Sequence, residues 1–166
     1  MSYVCQCCGE THEGLPLNLA FAKPGAWFAK TRGRRPAWKL DADMCILGRK
    51  RFFLRGCVYV PIHDSRESFV WGVWAEVSEH VFSRYRVLFE ADGTGEPPYA
   101  GSLSVELDPR FRGMDGLPVT IQFGTASERP RFDLKRSNHW LCRQQQNGVT
   151  LHQVHEMLHA LFPQHF

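Results

Sequence analysis

The stretch Ser68-Phe-Val-Trp-Gly-Val-Trp-Ala-Glu-Val77, followed at once by Ser78-Glu-His-Val-Phe-Ser-Arg-Tyr-Arg-Val-Leu-Phe89, decides the fold. Large apolar residues occupy both alternating sets of positions in its first ten residues, which predicts a central strand covered on both faces. Ser78 stands where a helix N-cap is expected, and apolar residues follow at helical spacing through Phe89. The sequence therefore predicts a strand that leads directly into an amphipathic helix.

The remaining elements are predicted from turn residues and periodicity. Alternating apolar residues between glycine- or proline-containing breaks predict further strands at 44–47, 51–60, 99–107, 117–123 and 130–134. Helices are predicted after Pro24, at 139–146 and behind Thr150, whereas 15–22 is interpreted as irregular and 32–39 as an exposed loop. These elements indicate an α+β fold, with helices packed on a largely antiparallel sheet of about five or six strands.

Composition limits the domain count, the compartment and the class of partner. A chain of 166 residues predicts one domain, residues 1–166, and 13% aromatic residues predict a well-packed core. No apolar stretch is long enough to cross a membrane and no secretory leader is recognised, so we expect a cytoplasmic protein. The formal charge of +3 is too small to predict a nucleic-acid partner, although Arg32–Arg35 and Arg49–Arg51 cluster locally.

The N-terminal cysteines predict a metal site. Cys5 and Cys8 form a C-x-x-C pair followed by Gly9, a pattern that turns both thiolates toward one ion. Tetrahedral zinc needs two more ligands, for which the candidates are His12 and Cys45, with Cys7 able to replace a neighbour. The alternative is a set of free thiols, and the expected role of the zinc is structural. It would pin the zinc-knuckle-like segment 1–14 to the sheet.

The other two cysteines are interpreted as parts of the core. Cys57 falls inside a predicted strand and Cys142 inside a predicted helix, and both are expected to be small buried apolar residues. Cys57 and His63 also form a possible nucleophile and base, but no third residue in the sequence is positioned to orient them.

Several motifs together resemble a known bacterial family, the domain of unknown function 2199. They are Cys5-x-x-Cys8-Gly9-x-x-His12-x-x-Leu15-Pro16, Asp43-Met-Cys45-Ile, Phe52-Phe-Leu-Arg-Gly56, Phe69-x-Trp-Gly-Val-Trp74 and Glu96-Pro-Pro-Tyr99. The resemblance covers nearly the whole chain and implies no established reaction. Small bacterial families of this kind include cytoplasmic immunity proteins that neutralise toxins, so by analogy we expect a protein partner, a toxin encoded nearby.

The C-terminal region contains a pattern typical of zinc proteases. His155-Glu-Met-Leu-His159 matches H-E-x-x-H, in which Glu156 would activate a zinc-bound water and His165 would be the third ligand. Phe162 stands in place of the turn glycine of the longer pattern, and His152 makes the helix rich in histidine regardless of function. We therefore expect a non-enzymatic binding protein, with a zinc-dependent hydrolase as the alternative.

The metal site gives a first prediction. Purified protein should contain about one equivalent of zinc by elemental analysis, and Cys8→Ser should lower the melting temperature sharply, because metal-binding energy contributes to folding here. Metal-free protein of unchanged stability would contradict the prediction.

Overall fold

A computed structural model describes residues 2–4, 9, 11–29 and 38–164, with only the backbone of Tyr3, His12 and Trp38. In chain order the strands and helices of these residues are β1 (Ser2–Val4), β2 (Thr11–Glu13), β3 (Asn18–Ala20), β4 (Trp38–Leu40), β5 (Met44–Leu47), β6 (Arg51–Pro61), β7 (Ser68–Val77), α1 (Glu79–Leu88), β8 (Tyr99–Leu103), β9 (Pro118–Gln122), β10 (Arg131–Leu134), α2 (Trp140–Asn147) and α3 (Leu151–Leu161). Short 3-10 helices form at Gly25–Phe28 and Pro109–Phe111. Within these ranges no helix has the length and apolar character needed to cross a bilayer.

Five strands close into a barrel in the order β6-β7-β8-β9-β10. Four neighbouring pairs are antiparallel and the closing pair, β10 with β6, is parallel. A closed barrel of five strands cannot alternate direction throughout, so one parallel pair is required. β10 and β6 pair over a short length. Arg131 lies opposite Cys57, and the Cys57 N–H donates to the carbonyl of Pro130 at 2.8 Å.

Three further strands extend the barrel at two edges. β5 and β4 continue antiparallel from the first half of β6, while β3 runs parallel to β7 at Val70–Gly72. Each strand of the long β6–β7 hairpin therefore has two different neighbours on its outer edge. The separate β1–β2 hairpin pairs Val4 with Thr11.

Both faces of β7 are buried, as the sequence predicts. Phe69, Trp71 and Val73 lie in the main core, together with residues of α1, α2 and α3. Trp74 points the other way, into a smaller cluster with Cys45, Leu47 and Phe53, which Phe21 and Trp27 cover. The Trp74 indole Nε1–H donates to the carbonyl of Phe21 at 2.8 Å, so this buried ring has its polar atom satisfied.

The helix starts predicted at Ser78 and Thr150 are confirmed. The Ser78 hydroxyl accepts from the N–H of Val81 at 3.2 Å, which caps α1. Thr150 and Gln153 form a reciprocal capping box at the start of α3. His139, predicted as a helical residue, is instead the N-cap of α2, where its Nδ1 accepts from the N–H of Leu141.

The predicted sheet needs correction. It has eight strands in the described part of the chain and closes into a barrel, whereas the expectation was a sheet of five or six strands. The missed strands β3 and β4 have three residues each, too short for alternation to show in the sequence. β3 forms because the edge of β7 offers unpaired backbone groups, and β4 forms because the edge of β5 does the same. The helix expected after Pro24 is a 3-10 turn.

Gly56 provides a test of the barrel closure. A methyl group at this position would lie 2.4 Å from the ring of buried Phe132 and 2.7 Å from the carbonyl of Pro130. Gly56→Ala should therefore destabilise the protein by about 2–3 kcal/mol, measured as a lower urea midpoint. Gly95→Ala is the matched control, because a methyl group there meets nothing within 4 Å. Equal midpoints for the two variants would contradict the tight closure.

Candidate functional site

A cavity of about 520 Å³ lies where β5 and β10 separate from the edge of β6. We call it the α1 cavity, because the end of α1 forms one wall. Its lining comprises Asp43, Cys57, Tyr59, Tyr85, Leu88, Phe89, Gly93 and residues 123–129. It therefore brings together three segments that are far apart in the sequence.

The hydrogen bonding of β6 creates the opening. The N–H of Arg55 donates to the carbonyl of Asp43, the residue before β5, at 2.9 Å. Two residues later the N–H of Cys57 donates to the carbonyl of Pro130, in the loop before β10. The two neighbouring strands diverge between these bonds. The Arg129 Nε–H donates to Asp43 at 2.9 Å and joins the two sides by an exposed ion pair, of a kind that contributes about 0–1 kcal/mol.

Aromatic side chains form another part of the lining. Tyr85 contacts Phe89 and Phe123 with ring centroids at 5.7 and 5.3 Å. Tyr85 and Phe123 are 7% and 3% exposed, whereas Phe89 and Tyr59 keep 37% and 36% of their surface accessible. The cavity thus has a buried aromatic floor and an exposed aromatic rim.

Burial keeps the acidic hydrogens of the cavity in place at neutral pH. Desolvation raises the pKa of the Tyr85 phenol to about 12, and the negative charge of Asp43 acts in the same direction. Burial also raises the pKa of the Cys57 thiol, although a hydrogen bond with Tyr59 partly opposes that shift. A thiol that remains protonated is a poor nucleophile.

The base considered for this thiol is not among the residues that line the cavity. His63, the partner considered for Cys57, packs against Gly148, where a methyl group would lie 2.7 Å from its ring. Cys57 itself is half-buried and lines the α1 cavity, so its expected burial in the core is wrong.

The predicted zinc ligands are described only in part. Cys5, Cys7 and Cys8 lie outside the described residues, as does the side chain of His12, whose backbone belongs to β2. Cys45 is fully buried in the cluster around Trp74, and burial raises the pKa of its thiol to about 12, with Asp41 adding to the shift. A metal bound there would have to offset this cost of deprotonation. The four-ligand site stays a prediction.

The C-terminal histidines differ in their surroundings. His155 is 2% exposed, its ring stacks on that of His159 at 6.2 Å, and Glu156 points outward to within 3.5 Å of His152. His165 lies outside the described residues, so the protease pattern also stays a prediction. Considering the described residues alone, no three His, Cys, Asp or Glu side chains are grouped to hold a metal.

Two further sequence interpretations concern Cys142 and the basic clusters. Cys142 is buried as expected. Its thiol donates a hydrogen bond to the carbonyl of Lys135 and accepts one from the N–H of Ser137. Arg51 donates two hydrogen bonds to Glu76, at 2.8 and 2.7 Å, and is not a free phosphate ligand. Residues 32–35 fall outside the described residues.

Sequence reasoning missed the cavity itself. Tyr85 and Phe89 were recognised only as the apolar stripe of a helix, and Asp43 and Arg129 are separated by 86 positions. The available local signal was the polar run 125–129 between two strands, which predicts a loop but no neighbour for it. Only the closure of the barrel brings these residues to one place.

Comparison with known proteins gives the family of the chain. A family described as an uncharacterized protein conserved in bacteria (DUF2199) matches residues 4–149, a range that ends before α3 and its histidines. No curated protein and no solved structure matches the chain. Since the match spans most of the 166 residues, including every strand of the barrel, the chain belongs to the DUF2199 family of bacterial proteins.

Proposed function

We propose that the protein is a non-enzymatic binding module, and that it acts as a cytoplasmic immunity protein that neutralises a bacterial toxin by direct contact. The observation that carries this proposal is the α1 cavity, with accessible Tyr59 and Phe89 beside Arg129 at its rim. Tyrosine and arginine are enriched at protein interfaces, and binding energy concentrates where such side chains meet a pocket.

The loop Gly93–Pro98 supports the same interpretation, because it is held rigid beside the cavity. Arg84 donates to both carboxylate oxygens of Glu96, and the Tyr99 hydroxyl donates to one of them. The Gln122 side-chain amide donates to the carbonyl of Glu96 at 3.1 Å. The N–H of Gly93 donates to the carbonyl of Gly124 at 3.0 Å. A preordered loop loses little conformational entropy when it binds.

The second candidate loop, 62–67, lies at the other end of the barrel. It connects Pro61 to Ser68 at the tip of the β6–β7 hairpin, whereas Gly93–Pro98 precedes β8, whose Ser102 pairs with Glu76 near the opposite end of β7. One compact interface would therefore use one loop or the other. The accessible aromatic rim favours the loop at the α1 cavity.

The mode of inhibition follows from charge. With a formal charge of +3, the surface has the wrong sign to imitate a nucleic acid. If the toxin is a nuclease, inhibition should come from shape-matched blocking of its active site. The proposal includes the structural zinc of Cys5, Cys8, Cys45 and either His12 or Cys7, which would stabilise the scaffold without contacting the toxin.

The loop gives a prediction of pH dependence. Hydrogen bonds from Arg84 and Tyr99 hold the pKa of Glu96 at about 2, below its ordinary 4.5. The carboxylate therefore stabilises the fold above about pH 4.5, and this contribution is lost as the pH falls toward 2. Glu96→Gln should show a smaller drop in urea midpoint between about pH 5 and pH 2.5 than the unmodified protein. Glu67→Gln, an exposed carboxylate at the hairpin tip, should leave the drop unchanged; a similar effect in both variants would contradict the prediction.

The immunity proposal is tested with the product of an adjacent gene. The two proteins should co-purify in equal amounts, and this protein should rescue cells from the toxicity of that product. Phe89→Ser should weaken binding at least tenfold, because it removes an aromatic side chain from the rim.

Val87→Ser is the matched control for that experiment. Val87 is 72% exposed on the same helix but does not line the cavity, so its loss should leave affinity within about twofold. Melting temperatures of both variants separate lost binding from lost folding. The proposal fails if no neighbour-encoded protein binds and deletion of the gene causes no sensitivity to attack by related cells.

A further inference from the structure

Arg55, on β6 beside the α1 cavity, carries a positive charge without an ion-pair partner. Its side chain is partly buried, and it forms no ion pair within the described part of the chain. Its Nη1 donates to the carbonyl of Ala42 over a long 3.4 Å, and its Nε–H is removed from solvent and meets no acceptor among the described residues. Charges that leave water are normally paired, because desolvating an unpaired one costs free energy. The guanidinium group therefore lacks an anionic partner.

The groups around Arg55 do not supply that partner. Burial lowers the pKa of the Arg55 guanidinium, and the positive charge of nearby Arg129 acts in the same direction. Asp43 opposes this shift, but its carboxylate is already bonded to Arg129 at 2.9 Å. Cys57 lies two residues along the same face of β6, and because burial raises the pKa of its thiol it adds no negative charge at neutral pH. Two guanidinium groups thus share one carboxylate.

Two further charged side chains, Arg131 and Glu128, lie near the opening of the cavity. Arg131 pairs with Asp133 at 3.0 Å and lies 5.8 Å from the centre of the Tyr59 ring, so this pair adds little net charge. Glu128 lines the cavity but is exposed, so water and salt screen its carboxylate. The charge of the partly buried Arg55 is screened less. The edge of the cavity next to Arg55 therefore favours a negatively charged ligand.

The Arg55 guanidinium is held in place beside the cavity. A methyl group on Gly72 would lie 3.7 Å from its Nη2, so the group lies over a residue that has no side chain. The backbone N–H of Arg55 bonds to Asp43, and both Asp43 and Cys57 line the cavity. Arg55 therefore borders the opening that Arg129 lines from the other side, and a ligand bound there would find the positive charge already positioned.

We propose that the partner protein inserts a carboxylate side chain, aspartate or glutamate, at the edge of the α1 cavity, where Arg55 and Arg129 bind it. This inference rests on the proposed function, in which that partner is the toxin. A guanidinium group binds a carboxylate through two parallel hydrogen bonds, and Arg55 has donors that no described residue uses. The accessible rings of Tyr59 and Phe89 would contact the aliphatic part of the inserted side chain. A singly charged carboxylate fits better than a phosphate, because Asp43 repels additional negative charge.

The test uses small probes that differ in charge. Pentanoate, pentanamide, n-butylammonium and inorganic phosphate are titrated into the full-length protein at matched ionic strength, and binding is followed by NMR of backbone amides and arginine Nε–H groups. Pentanoate should bind with a dissociation constant on the order of 10 mM and at least fivefold more tightly than the other probes. The shifts should centre on Arg55, Cys57 and Arg129.

Variants assign the selectivity to Arg55. Arg55→Met should weaken pentanoate binding at least fivefold, whereas Arg55→Lys should weaken it less, because it keeps the charge but loses the paired donors. Arg66→Met is the matched control, since Arg66 is an exposed arginine in the loop at the other end of the barrel, and it should bind pentanoate as the unmodified protein does.

The melting temperature separates binding from folding. Arg55→Met should keep it, because no described residue loses an ion pair. A lower melting temperature with unchanged pentanoate binding would assign Arg55 a structural role and overturn the inference. Equal binding of all probes, preference for phosphate or n-butylammonium, or no binding of any probe would also overturn it.

Failure of this inference is distinguishable from failure of the proposed function. Carboxylate-selective binding in a protein that recognises no toxin would support the Arg55 site and overturn the immunity proposal. A toxin that binds at the α1 cavity, but loses no affinity when each of its interfacial aspartates and glutamates is replaced by the corresponding amide, would do the reverse.

Discussion

The long β6–β7 hairpin is the contact on which the rest of the structure depends. Ten consecutive residue pairs, from Phe52 with Val77 to Pro61 with Ser68, hold the two strands together. Each strand then has one free edge, and each edge is long enough for two partners. β6 pairs first with β5 and then with β10, while β7 pairs with β3 and then with β8. Because β10 returns to β6, these shared edges turn an open sheet into a barrel, with β3, β4 and β5 outside it.

The β6–β7 hairpin and its shared edges produce both the small second core and the α1 cavity. On the outer face of the hairpin, the segment around Phe21 and Trp27 covers Trp74 and Phe53. On the β6 edge, β5 and β10 cannot occupy the same residues, so a gap opens between Asp43 and Arg129. The end of α1 fills the inner side of the gap with Tyr85 and leaves its outer side accessible. A site at this place is a consequence of strand geometry.

Burial sets the protonation state of the polar groups in the α1 cavity. Its thiol and phenol stay protonated because burial raises the pKa of both Cys57 and Tyr85. Its rim combines the accessible aromatic surface of Tyr59 and Phe89 with the ion pair between Asp43 and Arg129.

The sequence by itself determined the elements that carry strong local patterns. The buried strand Ser68–Val77, the Ser78 cap and the Thr150 capping box follow from residue type and spacing, because side-chain periodicity and capping act within a few residues. The barrel, the three-residue strands and the α1 cavity were decided by the tertiary structure. Short strands form only where an edge supplies hydrogen-bond partners, and Asp43 meets Arg129 only after β10 returns to β6. Pairing between distant segments leaves no periodic trace in either one, and this is why sequence patterns could not predict it.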